Sequence, residues 1–309
     1  MSKIAFIYPG QGAQKAGMGA DFYENSVIAG KMFDEAGEVL QLDMKALCFE
    51  ENDKLDVTEY TQAALVTTCL AMTRVAEDKG LKPNITAGLS LGEYCAIAAA
   101  GGMDDMDAIR LVRKRGILMQ NTVPAGEGAM CAVMAMDASA IEKVIEAIDG
   151  VTIANYNCPG QIVITGRTDA VGEAAEKLKE AGAKRAIMLN VSGPFHSPLL
   201  YGAGEQLQKE LGKITFNKIQ IPYIANLTAE YVTDSKEIPE LLRKQVYSPV
   251  RFEQTLQKLI TDGFDTFIEI GPGRTLTGFV KKTAKEMQCE GITCINIEKE
   301  EDLSQLITE

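Results

Sequence analysis

The chain has 309 residues, 46% hydrophobic and 24% charged, a length that suggests roughly two domains of about 150 residues each and a composition that excludes a disordered, collagenous or coiled-coil chain. The net charge is -12, from 31 basic and 43 acidic residues, so a nucleic-acid groove, which needs a basic face, is not expected. The longest near-apolar run, Cys95 to Met103, is far short of the roughly 20 residues of a membrane helix. Pro9 interrupts the apolar start too early for a signal-peptide core. The expectation is a soluble, cytoplasmic protein with no membrane partner.

In chain order, Lys3 to Tyr8 reads as a short apolar strand running into the turn Pro9-Gly10-Gln11-Gly12. Tyr60 to Lys79 carries apolar residues at helical spacing. Asn84 to Leu89 reads as a buried strand, and Leu91 to Ala100 as an Ala-rich helix stopped by Gly101-Gly102. Asp105 to Thr122 is a further helix. Ala129 to Met136 reads as a strand, and Asp137 to Ile148 as a helix with an acidic cap. Val151 to Asn155 and Gln161 to Thr165 are strands joined through the turn signal Cys158-Pro159-Gly160. Thr168 to Ala181 is a helix and Lys184 to Val191 a strand. This β-α-β-β-α-β order is the ferredoxin-like unit. Ser197-Pro198 and Ser248-Pro249 each open a helix with Pro at its first position, the second running through Val250 to Asp262. Thr266 to Ile270 is a strand, Thr275 to Met287 a helix and Thr293 to Ile297 a last strand. The class is therefore α/β, with a discontinuous larger domain, 1-124 and 192-309, interrupted by a small α+β domain, 125-191.

Seven cysteines without a C-x-x-C pair imply neither zinc nor a disulfide framework; they are expected as buried small hydrophobes. The sharpest motif is Gly88-Leu89-Ser90-Leu91-Gly92, between a predicted strand and a predicted helix. In that setting G-x-S-x-G is a nucleophile elbow, whose glycines permit a turn sharp enough to present the hydroxyl. The Leu91 amide, at the helix start, is placed to stabilise an oxyanion. A serine nucleophile needs a base, and the chain holds one histidine, His196. A lone histidine is commonly structural; the serine motif favours a base. No Asp partner is evident, and a long stretch of chain follows His196, unlike the usual Ser, acid, His order of α/β-hydrolases.

Several segments together resemble the bacterial malonyl-CoA:acyl carrier protein transacylases along essentially the whole chain. They are Phe6-Ile7-Tyr8-Pro9-Gly10-Gln11-Gly12, Gly88-Leu89-Ser90-Leu91-Gly92-Glu93-Tyr94, Arg115-Gly116, and Ala154-Asn155-Tyr156-Asn157-Cys158-Pro159-Gly160-Gln161. Pro194-Phe195-His196-Ser197-Pro198, Gln245-Val246-Tyr247-Ser248-Pro249-Val250 and Gly271-Pro272-Gly273 complete them. The resemblance implies a hydrolase-like three-layer core with the ferredoxin-like insert. It implies Ser90 as the acylated nucleophile, His196 as base and then acid, and Gln245 as the residue whose backbone carbonyl orients the imidazole. It implies an oxyanion hole from the amides of Gln11 and Leu91, and Arg115 as the anchor of the malonate carboxylate. A planar guanidinium suits that task because it makes two parallel charge-assisted bonds. Taken without the resemblance, Arg115 belongs to a solvated basic run with Arg110, Arg113 and Lys114.

Phe195, Asn155 and Asn157 are implied pocket residues, although Asn before Pro-Gly is also a turn former. Where the family usually has His before the nucleophile, this chain has Leu89, which puts the polarity around Ser90 in question and leaves the base unaffected. The implied partners are malonyl-CoA, as substrate, and holo acyl carrier protein; no tightly bound cofactor, metal or nucleic acid is implied. Arg274, Lys281, Lys282 and Lys285 form either a solvated face or a patch for an acidic carrier. The alternatives are a serine hydrolase of esters or thioesters, a discrete acyltransferase of a polyketide synthase, and a carrier-docking module with a silent site.

Overall fold

The structure is a computed structural model that describes residues 2–191 and 193–307. Its first half comprises β1 (Ile4–Tyr8), α1 (Ala20–Asn25), α2 (Val27–Leu40), α3 (Met44–Phe49), α4 (Thr58–Asp78), β2 (Ile85–Gly88), α5 (Gly92–Ala99) and α6 (Asp105–Thr122). The middle carries β3 (Gly128–Met134), α7 (Ala138–Ile145), β4 (Val151–Cys158), β5 (Gln161–Arg167), α8 (Thr168–Glu180) and β6 (Arg185–Met188). After it come α9 (Tyr201–Leu211), β7 (Tyr223–Ile224), β8 (Tyr231–Val232), α10 (Ile238–Gln245), β9 (Val250–Arg251) and α11 (Phe252–Thr261). The chain closes with β10 (Thr266–Ile270), α12 (Thr275–Glu286), β11 (Thr293–Ile297) and α13 (Glu300–Ile307).

The fold is mixed α/β with two sheets. The first has the order β11-β10-β1-β2-β7-β8, parallel throughout except for the β7–β8 pair. Strands in such sheets are covered on both faces and read as continuous apolar runs; β1 is buried from Ala5 to Tyr8. One charge lies inside it. Glu269 of β10 is fully buried, and its carboxylate accepts from the Leu276 and Thr277 amides that open α12, at 3.0 and 2.7 Å. The second sheet has the order β6-β3-β5-β4-β9, antiparallel across its first four strands and parallel between β4 and β9. α7 and α8 pack on it. α4 is buried along most of its length, and α2 and α6 pack against it.

The structure changes several expectations. No helix begins at Pro249: Val250–Arg251 pairs with Asn155 and Tyr156 of β4, and α11 starts only at Phe252. A strand edge left open by β4 takes the segment before it can turn helical. The small sheet thereby recruits a strand from outside 125-191. β6 is shorter than expected, ending at Met188, and Asp137 makes no side-chain capping bond to α7. Pro198 opens a short 3-10 turn, Pro198–Leu200, which runs on into α9. Residue 192, at which the second domain boundary was placed, lies outside the described residues. Cys48, Cys69, Cys95, Cys131 and Cys158 are buried free thiols; Cys289 and Cys294 are half-buried. Among the described residues no helix is long and apolar enough to cross a membrane.

Candidate active site

β2 ends at Gly88 and α5 begins at Gly92, so Leu89, Ser90 and Leu91 alone make the reversal. Ser90 takes φ 52, in the left-handed region that non-glycine residues rarely adopt. A Cβ on Gly88 would stand 2.0 Å from the Gly92 carbonyl, and one on Gly92 2.2 Å from the Tyr8 oxygen. Both positions therefore require glycine. Asn226, just after β7, holds the strained turn: its Nδ2 donates to Gly88 O at 2.6 Å, and its Oδ1 accepts from Ser90 N at 2.6 Å. The elbow expected at Ser90 is present in this geometry, at the carboxyl end of a parallel sheet where ligands of such folds bind.

His196 also has a left-handed backbone, φ 59. Ser197 Oγ donates to Pro194 O at 2.7 Å and ties its loop. The ring is 3% exposed. Nδ1 lies 2.8 Å from Gln245 O and Nε2 lies 2.7 Å from Ser90 Oγ. A backbone carbonyl can only accept, so Nδ1 carries the proton and Nε2 is left to accept from the serine hydroxyl. Burial lowers the imidazole to about 3, and the nearby Arg115 charge adds to the effect, against the bond to Gln245. The ring is therefore neutral at pH 7, the state a base requires.

Arg115 parts from its basic neighbours because of helix phase. Arg110 is exposed and pairs with Asp107 at 3.1 Å, Arg113 pairs with Glu59 at 2.6 Å, and Lys114 faces solvent. Arg115 points inward and is 1% exposed. Nη1 donates to Gln62 Oε1 at 2.9 Å; Nη2 donates to Ser90 Oγ and to Gln245 Oε1, both at 3.1 Å. These acceptors are all neutral, and among the described residues Nε has no partner and the guanidinium forms no ion pair. Burial lowers its pKa. A buried cation with neutral partners is an unfavourable arrangement that an anionic ligand would relieve.

A cavity of about 270 Å³ opens onto Ser90 and His196. Its lining includes Gln11, Gly12 and Leu89, Asn155, Asn157, Val163 and Leu189 of the small-sheet unit, and Phe195 and Phe279. Phe195, Asn155 and Asn157 are all buried, and Asn157 Oδ1 has no partner among the described residues. Leu89 thus faces the cavity as an apolar wall. The backbone amides of Gln11 and Leu91 donate to no protein group among the described residues. Lys281, Lys282 and Lys285 project from α12 beyond Phe279 and are exposed; Lys282 lines a groove with Lys184 and Arg185.

Three residues at this site escape sequence reasoning: Gln62, Asn226 and Glu93. Glu93 is 1% exposed. Its Oε2 accepts from Gln245 Nε2 at 2.7 Å and from Asn226 N at 3.2 Å. Burial pushes its carboxyl up to about 7, against the pull of Gln245, Asn226 and Arg115. The available signal was a lone carboxylate in the otherwise apolar α5, three positions after Ser90. Asn226 and Gln62 carry no local signal; each meets the site from a distant part of the chain.

The model of the acyl transferase domain family matches residues 5–305. A malonyl CoA-acyl carrier protein transacylase of Bacillus subtilis is 48% identical over 293 residues, 93% of this chain and 92% of its own. The crystal structure of an acyl carrier protein S-malonyltransferase from Vibrio cholerae superposes with a TM-score of 0.94 at 41% identity, covering 99% of this chain and 100% of that one. A malonyl-transacylase in complex with its type II polyketide synthase acyl-carrier protein superposes with a TM-score of 0.95 at 36% identity, covering 99% of each chain. With the acyl transferase match spanning nearly its full length and such relatives beside it, the chain belongs to the malonyl CoA-acyl carrier protein transacylase family.

Proposed function

We propose that this chain transfers the malonyl group of malonyl-CoA to the phosphopantetheine thiol of acyl carrier protein, for fatty acid synthesis, through a malonyl ester on Ser90. In the first half-reaction His196 Nε2 takes the Ser90 proton as Oγ attacks the thioester carbonyl. The amides of Gln11 and Leu91 receive the oxyanion. Collapse breaks the C–S bond, and His196 returns the proton to the CoA thiolate. The second half-reaction runs the same steps with the carrier thiol as nucleophile. Gln245 serves in place of a carboxylate by holding Nδ1 through its carbonyl. Phe195, Asn155 and Asn157 shape the approach. The scheme uses no cofactor; malonyl-CoA enters as substrate.

The observation that carries this reading is Arg115, buried, without an ion pair among the described residues and 3.1 Å from Ser90 Oγ. A hydrolase of neutral acyl groups has no use for that charge, whereas a malonyl ester on Ser90 sets a carboxylate beside it. We further read the large sheet with its helices as a hydrolase-like core, 1-124 and 192-309, and 125-191 as a ferredoxin-like insert. The strand order β6-β3-β5-β4 supports that reading. Intact-protein mass spectrometry tests the function: malonyl-CoA should add one malonyl group, and holo acyl carrier protein should remove it and gain it. Release into water with the carrier left unloaded would make the chain a hydrolase.

A further inference from the structure

We propose that Glu93 is the resident counter-charge of Arg115, linked to it through the Gln245 amide, and that it takes up a proton when a malonyl carboxylate pairs with that guanidinium. This rests on the malonyl reading of the site. Arg115 Nη2 donates to Gln245 Oε1 at 3.1 Å, and Gln245 Nε2 donates to Glu93 Oε2 at 2.7 Å. One side-chain amide thus separates the two charges, each 1% exposed. The groups that face Glu93 are Arg115 from α6, Gln245 from α10, Asn226 after β7, Tyr223 of β7 and its own neighbour Tyr94. Burial raises both tyrosine hydroxyls, which therefore stay neutral, and His196 is neutral as well. Arg115 is the cation acting on Glu93.

A malonyl carboxylate beside Ser90 puts a second anion on the same guanidinium. Two carboxylates sharing one cation cannot both stay ionised without cost, and the less well held one takes a proton. Glu93 is that one: it meets the guanidinium only through the Gln245 amide and burial already raises it to about 7, whereas the malonyl carboxylate would pair with the guanidinium directly. Its Oε1 has no partner among the described residues. The proton can settle there while Oε2 keeps both of its hydrogen bonds. The proton comes from solvent, and no bond other than O–H forms or breaks.

Linkage then makes malonyl binding weaken as pH rises above the free-enzyme value of Glu93, by up to about tenfold per pH unit. Acetyl groups, which carry no charge, lack this dependence. The test is the ratio of malonyl-CoA to acetyl-CoA half-saturation concentrations for Ser90 acylation, by rapid quench and mass spectrometry, from about pH 6 to about pH 9. Effects common to both thioesters, including those on His196 and on CoA, cancel in the ratio. The ratio should rise about tenfold or more across that range in the parent and stay level in Glu93→Gln. A level ratio in the parent overturns the proposal whether or not the variant folds, and so does an equal rise in Glu93→Gln. Absence of any malonyl adduct on Ser90 defeats the malonyl reading itself; an adduct with a level ratio defeats only the role of Glu93.

Discussion

Replacing Arg115 by Ala tests the physical core of the functional reading. In the parent the guanidinium is 1% exposed, so its bond to a malonyl carboxylate is hardly screened by water. Removing one member of a buried ion pair costs about 3–5 kcal/mol. At about 1.4 kcal/mol per decade, malonyl transfer should fall about 10²- to 10⁴-fold. Ser90 Oγ, Gln62 and Gln245 each lose a donor as well, and those losses strike every acyl group alike. One effect works the other way: Arg115 is the second cause holding His196 at about 3, so its removal makes the imidazole a stronger base for every substrate. Acetyl transfer should therefore hold level or improve while malonyl transfer collapses. The assay is the acylation rate of Ser90 with malonyl-CoA and with acetyl-CoA, read by intact mass in variant and parent. Equal falls for both acyl groups would make Arg115 a structural residue and remove the main support for a malonyl substrate.

Ser90→Ala should show no malonyl adduct by intact mass; an adduct that persists would place the nucleophile elsewhere. His196→Ala should slow acylation by several orders of magnitude, and near-parental rates would mean that another group takes the Ser90 proton. The same variant has a pH signature. The parent imidazole titrates near 3 when folded against 6.5 unperturbed, so the unfolded chain binds its proton first, and this share of stability is present above pH 6.5 and lost as pH falls towards 3. Urea denaturation should therefore show a smaller loss of stability between pH 7.5 and pH 5, both approximate settings, in His196→Ala than in the parent. Asn226→Ala strips partners from Gly88 O and Ser90 N, each worth about 1–3 kcal/mol when buried; unchanged denaturation would show that the elbow holds itself. Phe195→Ala should open the cavity to an α-methyl group and shift the methylmalonyl-to-malonyl rate ratio by about 10- to 200-fold, measured by competition.

The elements legible in the sequence follow from local rules. The apolar run Lys3 to Tyr8, the Ala-rich helix after Ser90 and the strands on either side of Cys158-Pro159-Gly160 each encode their conformation in their own period and punctuation, and each stands within a few residues of its expected place. The elbow was legible because the glycines around Ser90 must be glycines for steric reasons confined to that turn. α1, α2 and α3 went unread, although Ser26 caps α2 by accepting from Ala29 N; Gly30 and Gly37 dilute the periodicity of that helix. β7 and β8, of two residues each, are too short to show a period at all. β9 was misread because its conformation is set by an open strand edge some 95 positions earlier, at Asn155 and Tyr156, and no local pattern carries that information. The same limit applies at the site. The elbow motif and the single histidine pointed to Ser90 and His196, and the resemblance to Gln245 and Arg115, as separate residues; that Gln245 also bridges Arg115 to Glu93 and that Asn226 clamps the elbow emerges only from the folded chain. Those bonds join segments more than a hundred residues apart, and burial, which decides which hydrogen bonds and charges matter, is a property of the packed chain alone.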